Sequence, residues 1–263
     1  LLIIPYPEYF GLLRIDVNTP ITPLRVDDLL AIKQPVIFFP GTHCDERVFM
    51  PIWSLLQLEE RAYVPLQWAD TLAQMMALSR DRLAYFDQPV HLVGFSMGGY
   101  IAALLAVEQP AKIASLTLIG SSAQLLPEAE LQQRHLLLTA IKQGKFKAVS
   151  STQIATMFHA NNQNNSALID VVKAMTADLG LSTLNNQMTA TTQRQNLLKS
   201  LAEAEFHVHF VAGQVDHLVS AHTLNNAQQQ LRNSTVKLID QAGHMLPLEQ
   251  PLALAEYLSQ KLS

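Results

Sequence analysis

A serine between glycines, an aspartate closing one apolar run and a histidine following another are residues that could together carry out nucleophilic acyl transfer. Gly94-Phe95-Ser96-Met97-Gly98 lies between the apolar run 90–94 and a small-residue segment, 97–108, that reads as a helix stopped by Pro110. A strand-turn-helix setting of this kind exposes a serine on a sharp turn, at the positive end of the helix dipole. A nucleotide-binding turn would need G-x-G-x-x-G, and Gly94, Gly98 and Gly99 do not have that spacing. A serine hydroxyl is a weak nucleophile near neutral pH. It needs a base within hydrogen-bond reach and a third group to orient that base.

The base is sought among nine histidines. His244, in Gln241-Ala242-Gly243-His244-Met245, follows the last strand-like run and precedes the last helix, which puts it on a loop at the same strand-end face as Ser96. His91, His207 and His209 fall inside expected strands, His135 and His159 inside a helical block, and His222 at a helix start. His43 and His217 read as pocket residues, as does Phe95 beside the serine. For the acid, Asp216 ends the run through Ala212-Gly213-Gln214-Val215. Asp240 is the rival, but it sits too close to His244 in sequence. Serine, acid, histidine is also one of the known chain orders for such a triad.

A tetrahedral intermediate needs fixed N–H donors aimed at its oxyanion. Met97, directly after the serine, supplies one. Thr42, in the turn Pro40-Gly41-Thr42 after the first strand-like run, is the expected second. Cys44 lies nearby but away from the nucleophile turn, and reads as a buried structural thiol.

These residues need elements to hold them at one face. Apolar β-rich runs at 35–39, 62–66, 90–94, 113–119, 206–212 and 236–239 alternate with helical patterns at 45–58, 71–86, 97–108 and 248–262, and a further helix is expected between the last two runs. That alternation predicts an α/β fold with a mostly parallel central sheet flanked by helices. Between 122 and 205 the apolar spacing turns helical, at 131–141, 146–158 and 167–175, so the block reads as an all-helical insertion. The polar run Asn161-Asn162-Gln163-Asn164-Asn165 reads as a loop within it. Residues 1–34, with four prolines, are expected to hold one or two edge strands at most.

Hydrophobic residues make up 49% of the 263-residue chain and charged residues 15%, enough apolar volume for one large core plus an insertion. The net charge of -4 and scattered basic residues argue against a nucleic-acid partner. No apolar run reaches the ~18 residues of a membrane span, and Leu1-Leu2-Ile3-Ile4 lacks a basic flank and stops at Pro5. One cysteine and no Cys/His pair at ligand spacing predict no disulfide, no metal and no cofactor, and a cytoplasmic location.

In Phe39-Pro40-Gly41-Thr42, Gly94 through Gly99, Gly213-x-x-Asp216, Gly243-His244 and Pro247-Leu248-Glu249-Gln250-Pro251, the chain resembles the α/β-hydrolase superfamily over residues 36–262. Pro40 replaces the histidine more common before that glycine. The resemblance implies a core domain from 1–121 and 206–263 with the block 122–205 as a helical cap. Within the superfamily the chain is similar to small capped carboxylesterases and enol-lactonases. Dehalogenases and epoxide hydrolases, which use aspartate, differ at position 96. The implied activity is cleavage of a small carboxylic ester, thioester or lactone through an acyl-serine. A lyase or C–C bond hydrolase on the same scaffold, and a non-enzymatic ligand-binding module, are the alternative readings. The cap's charges nearly cancel, so no strongly ionic substrate is implied.

Overall fold

The apolar runs become six strands: β1 (Val36–Phe39), β2 (Arg61–Tyr63), β3 (Val90–Phe95), β4 (Ile113–Ile119), β5 (His207–Gly213) and β6 (Ser234–Ile239). They come from a computed structural model that describes residues 29–263. One sheet runs in the order β2-β1-β3-β4-β5-β6, with every neighbouring pair parallel. Parallel neighbours cannot be joined by tight hairpins, so each connection crosses a face of the sheet. The crossings carry α1 (Met50–Trp53), α2 (Leu72–Ala84) and α3 (Met97–Glu108). Between β4 and β5 come α4 (Glu128–Lys142), α5 (Ser151–Ala155), α6 (Ser166–Thr192) and α7 (Leu198–Ala202). The chain continues with α8 (Ala221–Gln228), α9 (Leu246–Glu249) and α10 (Pro251–Leu262).

Strand order decides where a site can form. The connection after β1 leaves toward β2 and the one after β3 toward β4, so the two loops diverge and open a crevice at the strands' C-terminal ends. Pro40-Gly41-Thr42 and Ser96 flank that crevice.

Side chains alternate across the sheet and build two apolar layers. Ile37, Phe39 and Leu92 pack with Met75 and Leu83 of α2, the buried face of α3, Leu201 of α7 and Leu224 of α8. Val36, Phe38 and Val93 pack with Ile52 of α1 and with Leu254 and Leu258 of α10. Ile154, Phe158, Val172 and Met175 from the helical block join this second layer.

Several expected elements are shorter than the periodicity suggested. The helix expected at 45–58 is a 3-10 turn, Glu46–Val48, followed by the four-residue α1. Asp45 caps the turn through Arg47 N–H at 3.0 Å, and Pro51 lies in the first turn of α1, where its missing N–H is harmless. Of 146–158 only α5 is helical, started by a capping box between Ser150 and Gln153. The last helix is divided at Gln250, which is non-helical before Pro251. α6 is much longer than its expected portion, and breaks at Gly180, which has φ 68°. The edge strands expected within 1–34 fall largely outside the described residues. Ile32 makes one parallel bridge to Leu58.

Three strand histidines lie together on β3 and β5. His91 Nδ1 pairs with Ser115 Oγ at 2.8 Å, His209 Nδ1 with Thr235 Oγ1 at 2.9 Å, and the His207 and His209 rings are 4.6 Å apart. Burial pushes His91 down to about 4. His209 is pushed to about 3, first by burial and then by repulsion from His207, Lys261 and His91. Both are neutral in the fold, whereas the unfolded chain protonates them near 6.5. The unfolded state therefore binds more protons below that pH, and stability falls as pH drops from about 6.5 toward 4, by up to about 1.4 kcal/mol per pH unit for each histidine. Urea midpoints should decrease across this window, and His209→Gln should flatten the slope by about one proton. An unchanged slope in that variant would contradict the assignment.

Candidate active site

β3 ends at Phe95, and Ser96 turns the chain into α3 with φ 52° and ψ -115°. A side chain at positive φ is strained and persists only where its surroundings fix it. Ser96 N–H donates to the Ile119 carbonyl of β4 at 2.8 Å. A Cβ on Gly94 would come within 2.5 Å of Gly98 O and Gly99 Cα, and one on Gly98 would overlap the Phe39 and Pro40 carbonyls. The glycines thus let α3 press against β3 and the end of β1. Ser96 itself is half-buried.

His244 Nε2 lies 3.1 Å from Ser96 Oγ, and its Nδ1 lies 2.9 Å from Asp216 Oδ2. Asp216 Oδ1 accepts from Leu218 N–H at 2.8 Å and Val219 N–H at 3.0 Å. Both Asp216 and His244 are buried, at 6% exposure each. Burial alone would raise the carboxyl's pKa, but the His244 charge and the hydrogen bonds from His244, Val219 and Leu218 bring it below its ordinary value. Burial alone would lower the imidazole, yet Asp216 beside it, helped by Glu130 and Glu249, raises it above 6.5. With Nδ1–H donated to the carboxylate, Nε2 is left to accept the serine proton.

Met97 N–H opens α3 and so has no intrahelical acceptor. Neither it nor Thr42 N–H donates to an acceptor among the described residues. The loop bearing Thr42 is tied to α6: His43, at φ 56°, gives its N–H to Gln187 Oε1 at 2.7 Å, and its Nε2 meets the Gly180 carbonyl at 3.0 Å. The break in α6 frees that carbonyl. Arg47 adds a link from the same loop, reaching Asp178 at 2.8 Å.

The remaining residues singled out in the sequence divide. His43 is buried against α6. Phe95 is buried, its ring 5.2 Å from that of His244. His217 is exposed and makes no hydrogen bond to Ser96, His244 or Asp216. Cys44 is buried, and burial together with the Asp45 charge pushes its thiol up to about 12. No cluster of metal-ligating side chains occurs among the described residues.

A family model described as the alpha/beta hydrolase fold matches residues 68–251. The chain belongs to the α/β-hydrolase family. It is 22% identical to the monoacylglycerol lipase ABHD6 of Bos taurus over 183 residues, 65% of this chain and 54% of that protein. To the monoacylglycerol lipase abhd6-A of Xenopus laevis it is 24% identical over 188 residues, 66% and 54% of the two chains. It thus spans about half the length of these curated relatives. Among solved structures, a bromoperoxidase from Bacillus anthracis superposes with TM-score 0.75 at 16% identity, covering 89% of this chain and 93% of that one. An esterase from Thermogutta terrifontis gives 0.73 at 16% identity, covering 88% and 90%. At such identities these likenesses speak to the fold.

This α/β-hydrolase site also uses residues that sequence patterns did not mark. Gly120, just past β4, has φ 55°, and a Cβ there would lie 3.1 Å from His244 Cε1 and 3.3 Å from Asp216 Oδ2. Its place at a strand end was readable, but neither its φ nor the ring beside it was. Gln187 is fully buried on α6, where its spacing read only as helix. Gly120→Ala should destabilise by about 1–2 kcal/mol from the φ alone, a Tm loss of roughly 2–8 °C, and should also displace the imidazole. Calorimetry and hydrolysis rates check both effects. Native protein should resist a disulfide thiol reagent at pH 8, and the unfolded chain should react with one equivalent through Cys44.

Proposed function

We propose that this α/β-hydrolase is a serine hydrolase that cleaves a small carboxylic ester, thioester or lactone through an acyl-serine. The observation that carries the reading is the unbroken hydrogen-bonded line from Ser96 Oγ through His244 to Asp216. Relatives named as monoacylglycerol lipases and fold neighbours named as esterases support ester chemistry.

In this reading Ser96 Oγ attacks the carbonyl carbon while His244 Nε2 takes the hydroxyl proton. Asp216 stabilises the resulting imidazolium. Thr42 and Met97 N–H groups hold the oxyanion, a role in which one donor is worth about 3–4 kcal/mol of barrier. Collapse of the intermediate expels the alcohol, thiol or ring oxygen, which takes the proton from His244. Water, deprotonated by the same base, then releases the acid and frees Ser96. The helices between β4 and β5 act as the cap over the crevice, and α6 positions the Thr42 loop through His43. No metal or cofactor takes part. Phe95 serves as a floor for the imidazole, and His217 stands at the rim.

Ser96→Ala should reduce turnover of p-nitrophenyl butyrate by about 10⁶-fold with the fold intact. Wild-type enzyme quenched with slow substrate should gain the acyl mass on Ser96. Activity that survives in Ser96→Ala, or turnover with no acyl mass, would point to a lyase or another base-only mechanism. The base must be neutral to act, so kcat/KM should fall as pH drops through a value above 6.5. Asp216→Asn should move that limb to lower pH and cut kcat by about 10³–10⁴-fold.

A further inference from the structure

Glu249, on α9, is buried, with 9% exposure, and has no cationic partner among the described residues. Burying a bare carboxylate is expensive unless hydrogen bonds replace its water. Here three donors do so. Oε1 accepts from Gly243 N–H at 2.7 Å, while Oε2 accepts from His159 N–H at 2.7 Å and from Asn162 Nδ2 at 3.0 Å.

The partners lie on two different segments. Gly243 immediately precedes the base, whereas His159 and Asn162 follow α5 in the block between β4 and β5. That block reaches the base by a second route, because the Met157 carbonyl accepts from His244 N–H at 2.8 Å and from Met245 N–H at 3.3 Å. The bonds close a ring: Glu249 to Gly243, along the chain to His244, across to Met157, along the chain to His159 and back to Glu249. A ring of this kind fixes the histidine backbone from both sides. Loss of the carboxylate would strand the buried Gly243 N–H and the part-buried His159 N–H without an acceptor.

The ring explains the residue type. Both oxygens accept, so an uncharged glutamine of the same shape would turn its NH₂ group toward one set of donors. Its charge also acts on the base, together with Asp216 on the loop after β5 and Glu130 on α4.

We propose that Glu249 is a positioning residue for the base, holding the His244 loop to the helical block. The proposal rests on the serine-hydrolase reading above. It makes α9 and the segment 157–162 part of the machinery that aims His244, although neither hydrogen-bonds to Ser96.

The test measures kcat, KM and the pH profile of kcat/KM on p-nitrophenyl butyrate for Glu249→Gln and Glu249→Asp, with Ser96→Ala alongside and the folded fraction taken from near-UV circular dichroism. Glu249→Gln should lose about 10- to 100-fold in kcat, the scale of a small misplacement of a catalytic group, with KM little changed. Its acid limb should move to lower pH because a negative charge has gone. Glu249→Asp keeps the charge but is too short for both sets of donors, so kcat should fall while the limb stays near that of the wild type. A wild-type kcat in either variant, or a loss in Glu249→Gln that matches the unfolded fraction and leaves the limb in place, overturns the proposal. If Glu249→Gln does not fold, Glu249→Asp decides: reduced kcat per folded molecule supports the proposal and unchanged kcat overturns it. Activity surviving in Ser96→Ala would instead overturn the serine-hydrolase reading.

Discussion

The arrangement depends on how closely α3 can approach the sheet. Ser96 holds a backbone angle that side chains avoid, and it can do so because no Cβ stands between α3, the end of β3 and the Phe39 and Pro40 carbonyls. That contact brings the β1 loop, and with it Thr42, alongside the serine. The Ser96 N–H bond to Ile119 ties the same turn to β4, so Gly120 passes directly behind the His244 ring. One steric condition at the elbow therefore fixes the positions of the groups around it.

Electrostatics then assign states to the groups that sterics has assembled. Asp216 and His244 are both buried, and for each the cost of burial is outweighed by the partner together with the surrounding hydrogen bonds or charges. Such a pair is weak evidence for stability, since buried ions seldom outperform well-packed apolar side chains. Its effect is to fix one tautomer and one ring orientation. Glu249 is likewise fixed in one orientation, by three N–H donors in place of a cation.

Much of this was legible in the sequence because strand ends carry their own signals. Apolar runs ending in glycine located Ser96 and Asp216 at the C-terminal ends of β3 and β5, and the histidines within strands were separable from His244 on its loop. The parallel sheet followed from the alternation of runs and helical patterns. Patterns failed where the periodicity continued but the backbone did not: at 45–58, where Pro51 restarts the helix, and at 146–158, where only five residues are helical. Nothing local could reveal that Gly120 needs positive φ, that α6 breaks at Gly180 to offer a carbonyl to His43, or that Glu249 grips residues about ninety positions away. These are tertiary facts, set by which loops the strand order makes neighbours.

The separation of 148 positions between Ser96 and His244 carries a meaning for the growing chain. A ribosome finishes the elbow and its two supporting strands long before it has made β6 and the loop beyond. An N-terminal portion folded early would present Ser96 without His244 or Asp216. The hydrogen-bonded line from Ser96 through His244 to Asp216 therefore cannot close until β5, β6 and the loops beyond them have been made and docked.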